Sequence, residues 1–166
     1  MDIKDRQDCE LSFRRIEQLF DSGIFSSENA RNLLQVSAFI ELMICMRDLM
    51  HKCEKYATRI SFTDDVLTNE YVSDATDAIT AVRDACCHIN SFKKLFDDHG
   101  NRGGYNVVYG KGAFARIGNL ELRSDYDDDV GIFYGRNRVY LRRNIVRAFD
   151  EAKALLTPLI KECPVK

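Results

Sequence analysis

Arg83, Asp84 and His88 lie within one six-residue stretch, and their side chains together could move a phosphodiester without a metal. An imidazole titrates near neutrality and can take or give a proton as bonds rearrange. A guanidinium offers a permanent planar fork that fits phosphate oxygens and stabilises charge as it develops. Asp84 and His88 stand four positions apart, the spacing at which helix side chains meet, so the carboxylate is expected to orient the imidazole and favour its charged form. Arg83 and His88 are five apart, which separates their directions by roughly 140° on a helix of ~3.6 residues per turn. The pair is therefore expected to flank a groove rather than to stack.

Other constellations are weaker. Arg47, Asp48 and His51 repeat the residue types at a shorter spacing on an apolar segment; His51 is expected to be an ordinary helix residue, with Arg47 or Asp48 lining the same groove. The acidic run at 124–129 lacks the glycine and closing glutamate of a calcium loop, so it reads as a solvated turn. Asp97, Asp98 and His99 precede a glycine-rich stretch without the Lys-Ser/Thr pair of a phosphate loop, which excludes nucleotide hydrolysis of that type. The cysteines show no Cys-x-x-Cys spacing, so no zinc site, and no metal or cofactor of any kind, is expected. Arg136, Arg138, Arg142, Arg143 and Arg147, interleaved with Tyr134 and Tyr140, read as an RNA track in which cations hold phosphates and rings stack bases.

These residues must be positioned by elements that periodicity predicts. Residues 5–21 form a helix with Leu11, Ile16, Leu19 and Phe20 on one stripe, closed by Gly23. Ser26 or Ser27 is expected to cap a second helix running to Ala57, apolar on more than one face and so touching several neighbours or a second subunit. The third starts near Ser73, with Asp74 and Asp77 favourably placed at its N-terminus. Val72, Ala75, Ile79, Val82, Cys86 and Ile89 form its buried face, carrying it to Ile89 or beyond. From Tyr105 the period changes to that of strands: 105–109, then 114–117 and 120–123 around Gly118-Asn119, then 130–134 and 139–141 around 135–137. These are expected to pair in one small antiparallel sheet. A last helix from Asn144 buries Ile145, Phe149, Ala152, Leu156 and Leu159, and is expected to kink or end at Pro158.

The 166 residues suit one domain, a helical bundle at 5–99 and 144–162 with a β insertion at 105–141. The net charge is −2, yet residues 130–166 carry eight bases against three acids, so the C-terminal part is the basic one. The charged opening 1–5 has no apolar stretch behind it, and the six cysteines (Cys9, Cys45, Cys53, Cys86, Cys87, Cys163) fall mostly in helical patterns. Reduced thiols in the cytoplasm are expected. No apolar run approaches the ~20 residues that span a bilayer, so no membrane partner is expected.

On Arg83, Asp84 and His88, set late in a helical bundle, the chain resembles the HEPN superfamily, whose motif is Arg, a polar residue, and His after four to six intervening residues. The stretch from 105 to 152, with Tyr109-Gly110-Lys111-Gly112 and Phe133-Tyr134-Gly135, resembles a plasmid-associated HEPN-like branch. The resemblance implies a mainly α, four-helix bundle with the sheet inserted before the last helix. It also implies a homodimer whose two motifs face one cleft and cut RNA without metal, His88 moving the proton and Arg83 holding the phosphate. Toxin or defence roles, with an antitoxin protein as partner, go with that likeness. A catalytically inactive dimerisation or interaction module is the alternative it implies.

Overall fold

In the computed structural model, which describes residues 1–88, 90–96, 100–118 and 120–161, four helices pack with two small antiparallel sheets. Helix α1 (Ile3–Asp21) starts where the Asp2 side chain accepts from Asp5 N at 2.8 Å, a carboxylate at the positive end of the dipole. Its buried face is Cys9, Ser12, Phe13 and Ile16, with Leu19 and Phe20 packed beside it. Leu11, expected in that stripe, is 40% exposed. It lies two residues from Cys9 and Phe13, roughly 200° around the helix from either.

Helix α2 (Gln35–Tyr56) begins later than Ser26 or Ser27, because those residues open a short 3₁₀ turn, Ser27–Asn29, instead. Asn29 Nδ2 donates to Gly23 O at 3.1 Å, and Asn32 Oδ1 accepts from Leu34 N at 3.0 Å. Such local side-chain bonds compete with helix for the backbone. Once started, α2 is the centre of the molecule. Phe39, Leu42, Met43, Met46, Leu49 and Cys53 are fully buried, and α2 packs on α1, on α3 (Ala75–Cys87) and on the last helix α4 (Arg147–Lys161). Its apolar girth is covered mainly from within the chain.

The strands form two sheets, not one. β1 (Tyr105–Tyr109) pairs with β4 (Val130–Tyr134), which pairs with β5 (Asn137–Tyr140), while β2 (Gly112–Ile117) and β3 (Leu120–Ser124) make a separate hairpin. Gly131 explains part of this arrangement: a Cβ there would approach Ser124 Cβ to 3.0 Å, so bare backbone lets the hairpin cross β4 closely. Ile132 and Val139 have no exposed surface and join the helical core. The three-stranded sheet packs against α3, so helices and insertion share one interior.

A single π-type turn, Leu141–Val146, leads into α4. Its start is capped by Asp129, whose carboxylate accepts from the backbone amides of Val130, Arg142 and Arg143 at 2.7, 2.9 and 3.1 Å. Phe149 then wedges between Phe13 and Phe20, with centroids at 6.0 and 5.8 Å and near-perpendicular planes; truncating a ring so placed costs about 3–5 kcal/mol. Pro158 does not end the helix, which continues to Lys161. Only the final turn lies beyond it, so one missing amide bond disturbs little. No helix among the described residues is long and apolar enough to cross a membrane.

Candidate nucleic-acid interface

The third helix stops one residue before the histidine. Cys87 is its last residue and His88 is extended (φ −112°, ψ 113°), so the motif straddles a helix end instead of lying wholly within a helix that runs to Ile89. The bend changes who meets whom. Arg83 Nη1 lies 3.0 Å from His88 Nε2, close enough for a direct bond, where the helical projection placed them only on either side of a groove. Since a guanidinium can only donate, the imidazole accepts here through Nε2 in its neutral form. Asp84, expected to orient His88, instead takes Lys93 Nζ at 2.7 Å and Arg83 Nη1 at 3.3 Å. Its link to His88 is through backbone, His88 N donating to Asp84 O at 3.1 Å. Burial works to raise the Asp84 pKa, but the Lys93 and Arg83 contacts outweigh it and hold the carboxyl below its usual range.

The Arg83 Nε is buried and has no acceptor among the described residues. Beneath the pair, Cys86 Sγ donates to Arg83 O at 3.2 Å, and burial pushes this thiol up to about 12. That keeps it protonated, a packing residue and not a nucleophile.

The chain after His88 returns to the same place. Ser91 N donates to His88 O at 3.1 Å, and a 3₁₀ turn, Phe92–Lys94, follows with Ser91 Oγ accepting from Lys93 N. Lys93 Nζ lies 5.7 Å from the Tyr71 ring centroid, and the Arg136 guanidinium 5.4 Å from it. Arg136 Nε donates to Tyr71 Oη at 3.3 Å, and Arg136 also pairs with Glu70. Thus Arg83, Asp84, Lys93, Tyr71 and Arg136 form a connected chain of contacts. Buried Asn137 pins it: its Nδ2 donates to Lys93 O at 2.7 Å and its Oδ1 accepts from Tyr71 Oη at 2.9 Å. The tight turn before Asn137 is equally constrained. Gly135 has φ +61°, and a Cβ there would press to 2.7 Å of Lys94 O and 2.8 Å of Lys93 O.

The remaining members of the anticipated track lie elsewhere, and Arg138, Arg143 and Arg147 are neutralised there. Arg138 donates to Asp125 at 3.1 Å. Arg143 binds Asp128 at 2.9 Å and Asp129 at 3.1 Å, with its guanidinium 3.7 Å above the Tyr126 ring. Arg147 binds Asp64 at 2.9 Å and Glu151 at 3.0 Å over Phe62. Tyr140 has no exposed surface, packs edge-on against Tyr126 and accepts from Asp125 N at 2.9 Å, so it has no face for a base. Tyr134 is half-buried beneath Lys94, whose Nζ is 5.7 Å from its ring. The acidic run at 124–129 is a turn with Asp125, Asp127 and Asp128 exposed, and it also supplies counter-charges for Arg138 and Arg143 and the Asp129 cap of the last helix.

Arg142 alone of the five has an exposed side chain with no hydrogen bond or ion pair among the described residues. It borders an open cleft of about 800 Å³ that Phe20, Phe25, Asp127 and Leu141 also line. Arg47 and His51 stand exposed on α2 and line a smaller cavity of about 210 Å³ with Arg59 and Thr80, while Asp48 is held by Lys52 at 2.5 Å. No group of three metal-ligating side chains occurs among the described residues, and Ile89, Asp97, Asp98, His99 and Cys163 lie outside them.

Lys93, Phe92 and Tyr71 belong to the cluster without having been singled out by spacing. The signal was present in Ser91-Phe92-Lys93-Lys94, an aromatic beside two cations just past the histidine. No protein-family model matches the chain, nor does any curated protein or solved structure.

Proposed function

We propose that the chain is a metal-independent endoribonuclease of the HEPN type, acting as a homodimer, with Arg83 and His88 as its reacting pair and RNA as its substrate. The observation that carries this reading is the direct Arg83–His88 contact, flanked by Lys93 and Arg136. An RNA phosphate is a better partner for the Arg83 fork than an imidazole nitrogen, because it accepts two charge-assisted bonds. Its arrival draws Arg83 away and frees the His88 Nε2 lone pair. That nitrogen takes the proton of the adjacent 2′-hydroxyl, the 2′-oxygen attacks phosphorus, and the bond to the 5′-oxygen breaks. The products are a 2′,3′-cyclic phosphate and a 5′-hydroxyl, the leaving oxygen taking a proton from water while His88 returns the one it gained to solvent. Arg83 meanwhile holds the extra charge on the phosphoryl oxygens.

Val36 and Ile44 are exposed on one side of α2, with Ile40 half-buried between them, an apolar stripe on which a second copy can seat. A toxin or defence role in the cytoplasm, with an antitoxin protein as partner, is the biological setting that fits such an activity. A second reading is favoured by the same geometry: His88 Nε2 is occupied at rest, as it is in a purely structural clasp, and the chain is then an inactive HEPN-like dimerisation module.

RNA incubated with the purified protein in EDTA separates the two. The nuclease gives fragments ending in cyclic phosphate, and both His88→Ala and Arg83→Ala abolish them. Intact RNA across varied substrates favours the module, and cleavage that survives both substitutions rules out this pair.

A further inference from the structure

We propose that the exposed ring of Phe92 is a stacking site for one unpaired nucleobase, set beside the phosphate clasp of Arg83; this rests on the RNA reading above. Phe92 is 59% exposed, and it is no loose side chain on a free loop. Its 3₁₀ turn is held at both sides, by Ser91 N on His88 O at 3.1 Å and by Asn137 Nδ2 on Lys93 O at 2.7 Å. The ring meets Tyr71 edge-to-face at 5.5 Å and 89°. That contact sets the ring's orientation while leaving most of it in water.

The surroundings select the ligand. A bare aromatic face seeks a flat apolar partner, since removing it from water is favourable. Yet Lys93 and Arg136 both stand close to the Tyr71 ring that Phe92 touches, at 5.7 and 5.4 Å, and Arg83 is tied to Lys93 through Asp84. Cations on the ring that an exposed ring touches disfavour an aliphatic partner and favour a planar group joined to an anion. A nucleotide has that chemistry, with the base on Phe92 and its phosphates toward Arg83, Lys93 and Arg136. Within a duplex both faces of each base are already stacked, so the ring is open only to a base in a single strand, loop or end.

The chain contains no tryptophan, so Phe92→Trp places a single indole reporter at the site. The probe is a short 2′-O-methyl oligoribonucleotide, which lacks the attacking hydroxyl and is not consumed. The single strand is expected to quench the indole emission on binding and its duplex to leave it unchanged. Phe92→Ala should weaken single-strand affinity by about 5- to 150-fold, the loss that removing one stacking ring produces, with no change in thermal unfolding. Two results overturn the platform and leave the RNA interface standing: binding with unchanged indole emission, or equal affinity of Phe92→Ala and parent. Absence of binding by the parent itself removes both the interface and the platform.

Discussion

Around Arg143, four arginines (Arg123, Arg138, Arg143, Arg147) meet seven carboxylates, whereas around Lys93 three cations (Arg83, Lys93, Arg136) meet two, Asp84 and Glu70. The first group has the denser basic sequence, and the second holds the surplus of positive charge. Asp129 shows why. Its side chain has no exposed surface and satisfies three amides and a guanidinium at once, which is structural work at the head of a helix. A buried carboxylate without such partners would be strongly destabilising. Arginine near Asp129 therefore serves the fold, while Arg83 and Arg136 lie partly exposed with donors to offer.

The comparison can be broken most decisively at the chemical step. His88→Ala should reduce RNA cleavage by about 10²–10⁴-fold, the range for losing a positioned acid–base group, with unfolding unaffected because the ring is exposed. Next comes Asp129→Ala, expected to destabilise by about 3–5 kcal/mol in urea unfolding because Arg143 and three amides lose their acceptor. Equal stability would show that the arginines at 138–147 are not structural after all.

Gly135→Ala should lower stability by more than about 1 kcal/mol, as expected where alanine meets positive φ, and weaken RNA binding with it, since the added methyl displaces the Lys93 and Lys94 carbonyls. Arg136→Ala should reduce the slope of log affinity against log salt by about 1, and Arg147→Ala should leave it unchanged; the reverse pattern would move the interface to the other region. The smallest effect concerns pH. The Asp84 carboxyl is held below its usual range, so its tie to Lys93 is present above the unfolded value of about 4 and is lost as pH falls through the lower folded one. The stability difference between parent and Asp84→Asn should accordingly shrink as pH is lowered through that window.

Much of the fold was legible in the chain. Helix α1 (Ile3–Asp21) and the strand runs 105–109 and 130–134 agree with the expected spans within about two residues, because their ends carry Asp2, Gly23 and Gly135. The late start of α2 was hidden because Asn29 and Asn32 divert backbone bonds through side-chain contacts that periodicity does not register. The division into two sheets was hidden too, since β1 finds β4 across an intervening hairpin, a long-range pairing with no local signature.

Of the candidate site, the sequence by itself determined the reagents: an imidazole and a guanidinium five positions apart, a carboxylate between them, and Phe92 with Lys93 just beyond. Tertiary structure decided their partners. A helix that ends at Cys87 turns His88 onto Arg83 and leaves Asp84 to Lys93, and a hairpin closed at Gly135 delivers Arg136 to Tyr71. It also assigned Arg138, Arg143 and Arg147 to the fold. Residue types and spacing fix which bonds can form, but charge is neutralised through space, by groups as far as 136 positions away in the case of Glu17 and Lys153.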